Sequence, residues 1–187
     1  MKKKVAIVSL MVFLMTVSIA LADGGFKRIR EVLTGFKEVP VISTTARGEF
    51  RARISNDESQ ITYELTYSGI EGVSATQAHI HFGPPNNTGG ISVWLCANPA
   101  LLPPTTVIPP NTQACPLIGG TISGTITAAN VIGPANQGIA PTELDELIAA
   151  IRAERTYVNI HSVTFPGGEI RSQIENDDDH HEGHDDR

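Results

Sequence analysis

The chain has 187 residues, with 14 Lys and Arg against 20 Asp and Glu, a formal net charge of −6 and two cysteines. That balance makes nucleic acid or an anionic membrane surface a poor partner. The length suits a single domain with a genuine core.

Lys2, Lys3 and Lys4, the apolar run Val5–Ile19 and the triplet Ala20-Leu21-Ala22 form the pattern of a cleaved signal peptide over residues 1–22. The run is short for a membrane span and no second one follows, so no span is expected after cleavage. Loss of three lysines takes the charge of the mature chain to 11 − 20 = −9. The protein is therefore expected to be exported, either periplasmic or secreted. Residues 23–176 are expected to be the folded domain.

From Glu31 to Ile70 the pattern is strand and turn. Gly48–Ile54 and Ile61–Tyr67 alternate apolar with polar residues, and Asn56-Asp57-Glu58-Ser59 supplies the turn between them. Gln77–Gly83 alternates in the same way: Ala78, Ile80 and Phe82 take one face, His79 and His81 the other. Ile91–Leu95 and Gly120–Ile126 are further strands. Five prolines between Cys96 and Cys115 rule out a central strand or helix there. In an exported chain the two cysteines are expected to pair and close that segment as a surface loop.

Leu144, Leu147, Ile148 and Ile151 fall at helical spacing, so one short amphipathic helix is expected near 142–153, with Thr142 as its cap. Tyr157–His161 is a strand with Val158 and Ile160 on one face, and Tyr157, Asn159 and His161 on the other. Phe165-Pro166-Gly167-Gly168 should turn the chain back into a last strand on which Glu169, Arg171 and Gln173 share a face. The end, 177–187, has no apolar residue and is expected to be a disordered acidic tail. Its His180, His181 and His184 could bind metal weakly.

Short strands broken by Gly, Pro and Asn turns point to a sandwich or barrel. The expected fold is all-β, a Greek-key antiparallel β-sandwich with the one helix. His79 and His81, two apart on one strand, could reach one ion, and His161 on a neighbouring strand could complete a three-imidazole site with an open position. Glu169 is a candidate fourth ligand or orienting partner if it lies on the histidine face. The alternative is a surface pair with Arg171.

Five segments, taken in order, resemble the CHRD (chordin-type) domain: Leu33–Pro40, Ile61–Gly72, Ala78–Gly83, Tyr157–Ser162 and Phe165–Gln173. The resemblance covers about 26–175 and departs from the pattern at Ser162, Ser172 and the Pro-rich loop. It implies a β-sandwich and, through chordin, extracellular protein binding. The His79-x-His81 strand is also similar to the copper-binding strand of copper/zinc superoxide dismutases, although counterparts of their zinc-loop ligands are missing. No nucleophile elbow, phosphate loop or dinucleotide fingerprint occurs. Two functions therefore stand: an exported copper-binding module for storage, delivery or redox chemistry, and a non-catalytic domain that binds another extracellular protein.

Overall fold

The computed structural model describes residues 28–175. The signal-peptide and acidic-tail expectations, with His180, His181 and His184, lie outside the described residues. Eight strands follow in order: β1 (Arg28–Thr34), β2 (Arg47–Ile54), β3 (Ile61–Ser68), β4 (Ala75–Phe82), β5 (Gly90–Ala97), β6 (Gly120–Ile126), β7 (Thr156–Ser162) and β8 (Ile170–Gln173). One helix, α1 (Leu144–Arg152), precedes β7.

Each predicted strand forms, because an alternating sequence has one face to bury. In β3 the alternation is complete: Ile61, Tyr63, Leu65 and Tyr67 are buried, and the residues between them are exposed. The β2–β3 hairpin is set by Asp57, whose Oδ1 accepts from the Ser55 hydroxyl and from the amide and hydroxyl of Ser59.

Two packed sheets were expected, but the strands form one antiparallel sheet in the order β5-β4-β7-β8-β1-β2-β3-β6. The reason is local. β8 pairs with β7 over four residues and also with β1, through Thr34 opposite Arg171. That single pairing joins two four-stranded halves into a continuous, barrel-like sheet. The two ends of the order, β5 and β6, approach each other, and beside them the Tyr63 hydroxyl on β3 donates to the Leu95 carbonyl on β5.

Between the halves lies one apolar cluster that takes in Phe50, Leu65, Ile80, Leu95, Val158, Ile160 and Ile170. The helix adds Leu144, Leu147, Ile148 and Ile151 to it. Thr142 does not cap this helix. It sits at φ 74°, in the left-handed region, and the cap position falls to Glu143, whose carboxylate instead accepts from the Ala140 amide. Cys96 and Cys115 form a disulfide with their Cα atoms 5.0 Å apart. It ties β5 to the proline-rich segment as expected. Among the described residues no helix is long and apolar enough to cross a membrane.

Candidate metal centre

The polar faces of β4, β7 and β8 do not meet solvent. Every residue of β7 and β8 is buried, and on β4 His79 is fully buried and His81 7% exposed. Three connections cover this face: the stretch after β1, the Gly83–Gly89 loop and the turn between β7 and β8. The sheet therefore has a second, polar interior on the side away from the apolar core.

Inside it the three histidines converge. His79 on β4 stands opposite Asn159 on β7, and His161 lies one step along β7 opposite Gln77. This diagonal brings His79 Nδ1 to 3.3 Å from His161 Nε2. Ring centroids are 5.2 Å apart for His79 and His81, and 6.2 Å for His81 and His161. One ligand nitrogen from each residue lies within 4.8 Å of the other two. Two nitrogens bound tetrahedrally to one ion at ~2.0–2.1 Å are ~3.3–3.4 Å apart, so the closest pair already has the spacing a shared ion needs.

The main chain fixes two of the rings. His81 Nδ1 lies 3.0 Å from the Gly89 carbonyl, and His161 Nδ1 lies 2.9 Å from the Pro166 carbonyl. A carbonyl can only accept, so both nitrogens carry the proton and each Nε2 keeps its lone pair. His81 stacks flat on Tyr157 at 4.7 Å, and the Arg171 guanidinium lies 3.4 Å over the same Tyr157 ring. Trp94, the only tryptophan of the chain, meets His79 edge-on at 4.3 Å.

Burial sets the protonation. It drives His79 well below the usual imidazole range, helped by the charges of His161 and His81. It lowers His81 to about 4 against the hydrogen bond that His81 donates to the Gly89 carbonyl, and it lowers His161 as well. All three rings are therefore neutral ligands at neutral pH. His81 Nε2 is buried without a partner, and such an atom is costly unless an ion or a donor meets it, whereas His79 turns Nδ1 to the shared point and its own unpartnered Nε2 would carry the proton when Nδ1 binds an ion. The donor set fits a metal ion.

Glu169 is fully buried, but its Oε1 accepts from the Thr44 hydroxyl and the Glu71 amide, and it is not in the close ligand group. No ion pair joins it to Arg171 among the described residues. Arg171 turns to the carbonyls of Pro84 and Asn87 instead. Sequence reasoning missed Glu38. It follows β1, is 5% exposed, and rests against Gly168, where a Cβ would meet its carboxylate. Burial pushes its carboxyl up to about 7, opposed by the Val39 amide, the Arg171 charge and an Asn159 hydrogen bond. No periodicity marks Glu38, because it lies in a turn and reaches the site only through the tertiary fold.

The family model described as the CHRD domain matches residues 29–174. Neither a curated protein nor a solved structure matches the chain. The likeness to copper/zinc superoxide dismutases thus rests on the His-x-His strand alone.

Proposed function

The chain belongs to the CHRD-domain family, and from that premise we propose that it is an exported metal-binding module whose ligands are His79, His81 and His161 and whose metal is copper. The observation that carries this reading is the convergence of three buried, neutral imidazoles, one nitrogen of each lying within 4.8 Å of the other two. Imidazole suits copper and zinc alike, and divalent copper stands highest in affinity among first-row metals at a given nitrogen site. Three protein ligands leave a position open, which suits storage, delivery or one-electron chemistry. The disulfide agrees with an oxidising compartment outside the cytoplasm.

The test uses protein carrying His180→Ala, His181→Ala and His184→Ala, so that only the domain can bind. It should take up one equivalent of Cu(II) with imidazole ligation. Trp94 fluorescence should be quenched as it does so, because the paramagnetic ion arrives at the ring that the indole touches. Replacing His79, His81 or His161 singly by alanine should weaken binding by at least ~100-fold, the upper range for losing even an outer partner of a ligand. Undiminished binding in any of the three would reject that residue as a ligand.

A further inference from the structure

In a chain of net charge −6, the outer face of β1 and β2 is basic. Arg28 and Arg30 on β1, and Arg51 and Arg53 on β2, are all exposed on it. The register sets Arg28 directly opposite Arg53, and Arg30 directly opposite Arg51. Like charges placed in this way are destabilising, and an anion that joins them removes the cost. For the inner pair the sheet supplies one. Glu49 holds Arg30 at 2.6 Å and Arg51 at 2.9 Å, and Glu64 stands opposite Arg51. For the outer pair it supplies none: among the described residues no carboxylate bonds to Arg28 or Arg53. The four arginines line one shallow hollow with Thr62 and Glu64.

The fold delivers a suitable anion to the edge of this face. β8 meets β1 antiparallel, with Thr34 opposite Arg171, and the Glu175 amide donates to the Glu31 carboxylate of β1 at 2.9 Å. The chain therefore leaves β8 beside β1 and heads towards Arg28. Counted on in the same register, Thr34 with Arg171 becomes Arg28 with Asp177. Twelve residues follow Glu175, and six are acidic: Asp177, Asp178, Asp179, Glu182, Asp185 and Asp186. From Glu31 to Arg28 is about 10 Å of strand, whereas twelve residues can span up to ~40 Å. A short tether also holds such an anion at millimolar effective concentration over its site.

We propose that this arginine face is the docking surface of the chain's own acidic segment 177–187, with the run Asp177–Asp179 meeting Arg28 and Arg53. The segment is then a built-in cover that closes the basic face to other polyanions. This replaces the free tail that composition alone suggests. The inference does not depend on the metal reading.

The experiment attaches a nitroxide label at Gly183→Cys in the otherwise complete, disulfide-bonded chain and reads the backbone amide signals by NMR. At low salt the label should broaden the signals of Arg28, Arg30, Arg51 and Arg53. It should spare those of β5, four strands from β1 in the sheet order. The broadening should vanish in 1 M salt, where the screening length is about 3 Å. It should vanish as well in Arg28→Ser with Arg53→Ser. The same loss is expected in Asp177→Asn with Asp178→Asn and Asp179→Asn, which leaves the folded domain untouched and decides alone if the arginine variant does not fold. Joining Arg28→Asp and Arg53→Asp to Asp177→Arg, Asp178→Arg and Asp179→Arg should bring the broadening back. Equal broadening of β1 and β5, no broadening, or broadening that survives loss of either partner overturns the inference. So does a sulfated polysaccharide that shifts the arginine signals equally in the parent and in the asparagine variant, because the face would then be open to outside polyanions.

Discussion

His81 is held from three sides: by the Gly89 carbonyl at Nδ1, by the Tyr157 ring beneath it and by His79 edge-on. Because burial lowers its folded-state pKa to about 4, the unfolded chain takes up its proton first, near pH 6.5. His81 therefore costs no stability above about pH 6.5, and its penalty grows as pH falls from there towards about 4. The full effect is on the order of 3 kcal/mol. His79 and His161 act in the same direction. Glu38 acts oppositely, since its raised pKa lowers stability as pH climbs from the ordinary carboxyl value to about 7. Denaturant unfolding of the metal-free protein should show lower stability at pH 4.5 than at 7. His81→Phe, which keeps the stack on Tyr157 but cannot be protonated, should flatten that slope, and an unchanged slope would count against the assignment. The identity of the three histidines and their shared polar face were legible from alternation at His79, His81 and His161. Their burial was not, because alternation tells which way a side chain points and not what covers it.

The Gly83–Gly89 connection acts as a lid fixed from below. Arg171 donates to the carbonyls of Pro84 and Asn87 at 3.0 Å each. Gln173 Nε2 holds the Gly83 carbonyl at 3.1 Å, and the Tyr157 hydroxyl takes the Gly89 amide at 3.1 Å. Since Gly89 in turn fixes His81, the lid sets a ligand's geometry. Arg171→Lys keeps the charge but loses the two-pronged donation and the flat contact with Tyr157. It should cost on the order of 2 kcal/mol in denaturant unfolding, from carbonyls left unmet in a buried place. A loss near zero would mean that the lid holds without its guanidinium. The strands themselves could be read from their two-residue period. The short helix could too, from Leu144, Leu147, Ile148 and Ile151, whereas its cap could not, because Thr142 satisfies the preference for a hydroxyl while its backbone lies in the left-handed region. Arg171 and Gln173 looked like surface residues for the same reason as the histidines.

At the scale of the whole molecule, ligand binding and folding are linked. If the site forms only in the folded chain, Cu(II) at 100 times its Kd adds ~2.7 kcal/mol of stability, and the melting temperature should rise steadily with its concentration. In His161→Ala that rise should vanish, whereas a rise of the same size would place the ion elsewhere. The expectation of two packed sheets failed at the pairing of Thr34 with Arg171, because strand neighbours distant in sequence leave no periodic trace. Intact-mass measurement after alkylation under denaturing conditions should find no free thiol, as the Cys96–Cys115 bond requires. That bond has a further consequence at the ends of the sheet. β5 and β6 are the end strands of the order, and the segment tethered by Cys115 lies between them, where the Gln113 carbonyl takes the Ala97 amide of β5 and Gln113 Nε2 donates to the Ser123 carbonyl of β6. Exposed edges recruit further strands from other molecules. The bond thus guards solubility as well as the fold: cutting it frees a template for chain-on-chain growth, and reduced protein should assemble into thioflavin-binding fibres under conditions where the oxidised form stays dispersed.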